Sequence, residues 1–171
     1  MNKKVSCIGR KFEKKWNKKT KSQGTIGSGN LWFDKEDGKN PNWLFQNKAT
    51  KKSYYGLQLV DIQKLKTNAE KTNRNWAFVI CFNAESFDET VFVLIPLKLL
   101  TKMSKDFLKY KVGTCIMSKE NAKQVKLKED DLSNDWLNDK VSAVHFCSKN
   151  PEALIIMNEI DFLKAFKKTF I

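Results

Sequence analysis

"WLFQNKAT", Trp43 to Thr50, is the stretch on which the fold turns. Read in steps of two, Trp43, Phe45 and Asn47 share one face of an extended segment, and Leu44, Gln46 and Lys48 share the other. A strand that sets an amide and an ammonium side by side is either a wet sheet edge or the lining of a site. Both readings predict a strand, and a strand needs partners. Upstream, "LWFDKED" reads as a second strand, joined through "GKNPN", a polar hairpin turn. Downstream, "SYYGLQLVDIQKLKTNAEKTN" is expected to form a helix with Leu59, Ile62, Leu65 and Ala69 on one side. "NWAFVICFN" and "ETVFVLIPL" are near-continuous apolar runs, as central strands buried on both faces are.

Further out, Ile8, Phe12 and Trp16 recur every four residues. This spacing predicts an amphipathic helix from about Gly9 to Thr20 with lysines over its outer face. "SQGTIGSGNLW" follows, a glycine-rich connection whose backbone amides can approach a ligand closely. Toward the C-terminus come a helix, "KLLTKMSKDFLKY", and the strand candidates "VGTCIM", "QVKLKE", "AVHFCS" and "ALIIMN". The acidic "KEDDLSNDWLNDK" reads as an exposed loop, and "EIDFLKAFKKTF" as a closing helix. No internal repeat is evident. The order helix, hairpin, helix, strand, strand, helix gives an α/β layer structure with a mixed sheet rather than a doubly wound parallel one.

With 171 residues, the chain has the size of one domain. Hydrophobic residues at 41% beside 30% charged exclude a disordered chain. No apolar run approaches the roughly 18 residues of a membrane span, and "MNKKVSCIGRKF" has no stretch of signal-peptide type. Cys7, Cys81, Cys115 and Cys147 are scattered without a C-x-x-C pair, so free thiols in a reducing cytoplasm are expected rather than zinc or redox chemistry. The single histidine, His145, reads as a core or edge-strand residue and argues against histidine-based catalysis. The net charge of +13 is uneven: residues 1–56 hold 14 Lys/Arg against 4 Asp/Glu, and the remainder 18 against 15. A polyanion would meet the N-terminal third first, and "GRKFEKKWNKKTKSQ" points to nucleic acid, the bland alternative being a solvated basic helix.

Several polar positions stand where the apolar pattern does not need them. Glu13 borders the buried stripe of the first helix; Asp34 and Asp37 precede the turn; Gln46 and Lys48 face the same way on the strand. A hairpin can bring Asp37 near Gln46, and the packed helix can bring Glu13 over both. Such an oxygen cluster suits Mg²⁺, with Mn²⁺ as the alternative, and the metal would activate water against a phosphodiester. Lys48 could orient that water or stabilise the transition-state charge.

"GRKFEKKW", "GSGNLWFDKED" and "WLFQNKATKKSYYGLQLVDIQKL", in that order, resemble the PD-(D/E)xK nuclease superfamily, and within it the archaeal-type Holliday junction resolvases and their phage-encoded relatives. The likeness runs from about Cys7 to Phe82. It implies a restriction-endonuclease-like core over 1–97, a central mixed β-sheet flanked by helices, with a C-terminal α/β extension over 98–171. It also implies Glu13 as the first-helix carboxylate, Asp37 as the metal-binding aspartate (Asp34 in reserve), Gln46 at the second acid and Lys48 as the motif lysine. Ser28 and Gly29, with Gly27, would meet the DNA backbone. Arg10, Lys11, Lys14, Lys15, Lys18 and Lys19 on the helix, with Lys51 and Lys52 past the strand, would contact phosphates. Gln46 departs from the family, which carries a carboxylate there.

The expected activity is metal-dependent cleavage of branched or structured DNA by a cytoplasmic homodimer in a phage-infected or bacterial cell. The alternative is a catalytically weak or inactive nuclease-fold protein acting as a DNA-binding or phage accessory factor.

Overall fold

The structure, a computed structural model, describes residues 3–24, 37–99, 111–119, 122–138, 140–146 and 153–170. Its elements are α1 (Lys3–Thr20), β1 (Gly38–Lys39), β2 (Trp43–Ala49), β3 (Tyr54–Gln58), α2 (Leu59–Lys71), β4 (Asn75–Phe82) and β5 (Thr90–Pro96). After these come β6 (Lys111–Met117), β7 (Gln124–Lys128), α3 (Glu129–Leu137), β8 (Lys140–His145), β9 (Leu154–Asn158) and α4 (Glu159–Phe166). Seven strands form one mixed sheet in the order β1-β2-β4-β5-β9-β8-β6, while β3 and β7 pair as a separate antiparallel ribbon. The expected α/β architecture with a mixed sheet flanked by helices is therefore present.

Both faces of the sheet are covered. On one, Ile8, Phe12 and Trp16 of α1 meet Trp43 and Phe45 of β2 and Phe162 and Phe166 of α4. Trp16 lies 5.9 Å from both Phe45 and Phe162, and Trp43 5.1 Å from Phe166, as ring centroids. Aromatic side chains buried this completely contribute about 2–3 kcal/mol each, so the box fixes α1 across β2. On the other face, Ile62, Leu65 and Ala69 of α2 and Leu132 of α3 pack with Leu44, Phe78, Ile80 and the inward residues of the ribbon. Strand β4 is buried at almost every position, as its unbroken apolar run requires.

Two expectations are corrected. Tyr54–Gln58 is a strand, not the start of the helix: Leu57 turns into the core while Tyr54 stays exposed, a period of two that the neighbouring helical pattern conceals. The acidic segment is the helix α3, not a loop. Glu129, Asp130 and Asp131 occupy its first turn, where carboxylates complement the helix dipole, and Leu132 and Asp135 turn inward. The turn also differs: Gly38 and Lys39 are paired with Phe45 and Leu44, and Asn40 closes the bend by accepting from the N–H groups of Asn42 and Trp43. Residues 25–36 and 100–110 lie outside the described residues, and with them most of the expected first strand and of the helix after Leu99.

The topology holds a repeat that the sequence does not display. Strand, strand, helix, strand, strand runs as β2-β3-α2-β4-β5 and again as β6-β7-α3-β8-β9. In each unit the outer pair is parallel (β2 with β4, β6 with β8) and the next pair antiparallel (β4 with β5, β8 with β9). The units meet along β5 and β9, antiparallel, so a two-fold axis passes through the sheet. Leu94 faces Ile156, each two residues before the end of its strand; Gly56 faces Lys126 in the ribbon, again each two residues from the end. The backbone agrees to the single hydrogen bond: Leu59 N–H donates to Lys123 O at 2.8 Å, and Glu129 N–H donates to Ser53 O at 2.8 Å.

Candidate functional site

The ladder between β1 and β2 stops at Gly38 and Phe45, which leaves the edge of β2 beyond Phe45 without a strand neighbour among the described residues. Asp37 occupies that opening. Its N–H donates to Phe45 O at 3.1 Å, and its Oδ2 accepts from Asn47 N–H at 2.7 Å, so the carboxylate continues the ladder where the strand has ended. Gln46 donates from Nε2 to the same oxygen. Asn17 of α1 donates to the Asp37 carbonyl at 3.3 Å and ties the bend to the helix. A Cβ at Gly38 would meet the Asn17 amide oxygen, so any other residue here would displace that side chain from its bond to Asp37.

Leu44 packs under α2, so Gln46 and Lys48 share that face of β2, while Asn47 shares the α1 face with Trp43 and Phe45. Glu13 arrives on α1, one residue from buried Phe12. Burial, and then the charge of Asp37, push the Glu13 carboxyl above its ordinary range, against the opposing pulls of Arg10 and Lys48. Glu13 thus feels the charges of both Asp37 and Lys48. The edge of β2 is where side chains from the two faces of the sheet can meet. Asn47, only 6% exposed, has no hydrogen-bond partner for either side-chain polar atom, and Asn17 Oδ1 and Trp16 Nε1 of α1 are likewise buried and unpaired.

Of the expected set, Gln46 is hydrogen-bonded to Asp37, and Glu13 lies within electrostatic range of Asp37 and Lys48. Asp34, Ser28 and Gly29 lie outside the described residues. Among those described, no three His, Cys, Asp or Glu side chains cluster as metal ligands. Two carboxylates that repel one another, with the Gln46 Oε1 left as an acceptor, nonetheless fit a hard divalent cation, which takes one or two protein carboxylates and keeps its waters. Gln46, expected as a ligand, here holds Asp37 through its nitrogen.

The lysines divide. Lys11, Lys15 and Lys19 reach Glu85, Glu89 and Glu159 at 2.9, 2.6 and 2.7 Å, and so fasten α1 to the sheet's far turn and to α4. Exposed pairs of this kind are weak and exchangeable for phosphate. Lys14 and Lys18 are exposed on the same helix. A second cationic surface lies on the outer face of the ribbon, where the expected Lys52 is joined by Tyr54 and Lys126, which the sequence reading missed. Tyr54, 40% exposed, accepts a hydrogen bond from Lys52 Nζ at 3.1 Å, and Lys126 Nζ stands 4.3 Å from its ring centroid. The signal was the alternation in "SYYGLQ". The ribbon covers the α2 face, the face onto which Gln46 and Lys48 open.

No family model, curated protein or solved structure matches the chain. No helix among the described residues is long and apolar enough to cross a membrane.

Proposed function

We propose that the chain is a metal-dependent endonuclease for branched or structured DNA, with its reaction centre at the open edge of β2. One observation supports the reading: Gln46 of the strand holds Asp37 of the bend, and Glu13 of the helix, 24 residues before Asp37 in sequence, feels the charges of both Asp37 and Lys48. The order of parts (a basic helix carrying Glu13, then Asp37, then the strand of Lys48, then the helix α2) follows the order that the resemblance to PD-(D/E)xK nucleases implies, with β3 interposed before α2.

A divalent ion held by Glu13 and Asp37 would supply Lewis acidity and a bound water of lowered pKa. Gln46 and the Asn47 N–H hold Asp37 in place. Lys48 meets the charge that builds on the phosphoryl oxygens, and Lys52, Lys126 and Tyr54 receive the strand as it passes over the ribbon. The partner is DNA read through its backbone and shape.

Cleavage of a synthetic four-way junction, beside duplex and single-stranded controls, with and without Mg²⁺, tests this. Metal-dependent cutting of the junction is expected, and no cutting of any DNA in Mg²⁺ or Mn²⁺ refutes it. The second reading, a DNA-binding protein on a nuclease-derived scaffold, is favoured by the Gln46 amide, which satisfies Asp37 without any metal. Gln46→Glu separates the two. A working centre gains metal affinity, seen as a larger rise in melting temperature on adding Mg²⁺, whereas a worn one loses stability with no compensation from metal.

A further inference from the structure

We infer that the internal two-fold axis replaces a second chain: the protein engages a branched DNA as a single chain and, with one reaction centre among the described residues, opens one strand per encounter. The chemistry in this statement rests on the nuclease reading above, while the stoichiometry does not.

Two-fold symmetric DNA is ordinarily met by two-fold symmetric protein, one centre from each of two chains. Here the axis lies inside the chain, and the seam that a pair of chains would share is built from β5 and β9. Leu94 and Ile95 of β5 and Leu154, Ile155 and Ile156 of β9 are at most 4% exposed, so that surface is already consumed. The outer strand of the first unit, β2, carries the candidate centre; the outer strand of the second, β6, occupies the equivalent place.

The ladders allow the two to be superposed residue by residue. Phe78 faces Leu94 and Ser142 faces Ile156, so Phe78 and Ser142 correspond, and two residues on so do Ile80 and Val144. Ile80 is paired with Lys48, and Val144 with Ile116. The motif lysine is therefore an isoleucine in the second unit, half-buried against the core. Gln46, the partner of Phe78, corresponds to the irregular step between Val112 and Cys115. A carboxylate does sit there, Asp135, but it comes from α3 and is committed to the fold. Its Oδ2 accepts from Thr114 N–H at 2.7 Å and from Ser142 Oγ at 2.5 Å, and Gly113 has no Cβ to collide with it. The second unit thus keeps the scaffold and fills the centre's place with its own hydrogen bonds.

Each encounter adds one water across one phosphodiester: a P–O bond forms from the water, the bond to the leaving sugar oxygen breaks, and that oxygen departs with a proton. Among the described residues of the second unit, no equivalent centre is available for the opposed strand.

The test uses the full chain. Light scattering and native mass spectrometry on a synthetic four-way junction, and cutting of a supercoiled plasmid carrying a cruciform, are read together in Mg²⁺. One chain per junction and accumulation of nicked circle before any linear product are expected. Two chains per junction, or linear plasmid without a nicked intermediate, overturns the inference. One chain per junction with no cutting supports the internal axis and defeats the nuclease reading. Failure to bind the junction at all defeats both.

Discussion

The β2 and β6 ends of the sheet are built on one plan, and the chain surrounds the carboxylates beside them in opposite ways. At the β6 edge, burial raises the Asp135 carboxyl, but hydrogen bonds from Ser142 and Thr114 outweigh it and the group is held below its ordinary range. At the β2 edge, burial and the neighbouring Asp37 hold Glu13 above its range. One acid is fully answered by the chain; the other is left wanting positive charge. Chain-satisfied carboxylates stabilise folds, and unanswered ones in a cleft mark chemistry, because the same field that destabilises them attracts a cation or a proton.

The sharpest way to break this contrast is to remove one group from each edge. Lys48→Ala is expected to lower junction cleavage about 10²–10³-fold, as loss of a transition-state charge partner does, while junction binding and melting temperature stay near wild type. Asp135→Ala is expected to do the reverse. Leaving Thr114 N–H and Ser142 Oγ without their acceptor costs about 2–3 kcal/mol, or about 5–10 °C in melting temperature at this length, with cleavage at low temperature unchanged. Cleavage assays and thermal melts on both variants decide the matter. If Lys48→Ala cuts normally, or Asp135→Ala stops cutting while still folded, the assignment of roles is wrong.

The strands were legible where burial is two-sided or alternation unbroken: "NWAFVICFN" and "ETVFVLIPL" needed no tertiary information. Tyr54–Gln58 was not, because five residues of period two run directly into a helix with no turn residue between Gln58 and Leu59, and the longer pattern absorbed them. Glu129–Leu137 was hidden by its acids, which look like solvent but answer a helix N-terminus. The repeat escaped because its two units share backbone pairing and not residue types: Lys48 corresponds to Ile116, Phe78 to Ser142. Of the site, Asp37, Gln46 and Lys48 could be placed from hairpin geometry. The orphaned Asn47 and the ribbon lysine Lys126 could not, since both depend on packing between distant segments.

The ribbon sharpens the comparison at smaller scale, since it spans both units yet is chemically one-sided. Tyr54 is aromatic and flanked by ammonium groups, and Lys128 opposite it offers charge alone. Stacking a base on an exposed ring is worth about 1–3 kcal/mol. Tyr54→Ala is therefore expected to weaken binding of single-stranded and branched DNA about tenfold, with Tyr54→Trp near wild type. Lys126→Ala should lose less and flatten the salt dependence. Fluorescence anisotropy across a salt series measures both, and equal affinities for Tyr54→Ala and wild type would remove the ribbon from the binding surface.

The smallest effect is the most direct probe of the unanswered charge. Because the folded-state pKa of Glu13 is raised above the ordinary 4.5, the native state holds a proton that the unfolded chain has released anywhere between those two values. Stability contributed at this position therefore falls as pH rises through that window, and the cost is complete above the folded pKa. Glu13→Gln removes the cost. It is expected to melt higher than wild type at pH 7, by no more than about 2–4 °C because the group is only half-buried, with the difference vanishing near pH 4. Asp135 has the opposite slope: its folded pKa is depressed below 3.8, so its contribution is present above that value and fades as pH falls through the folded one. Mg²⁺ should erase the advantage of Glu13→Gln at pH 7 by stabilising only the wild type, since an ion that binds the native state alone raises its melting temperature. A Glu13→Gln protein that melts lower than wild type at pH 7 would mean that the fold answers this carboxylate as fully as it answers Asp135, and the two edges would then differ in residue type and in nothing else.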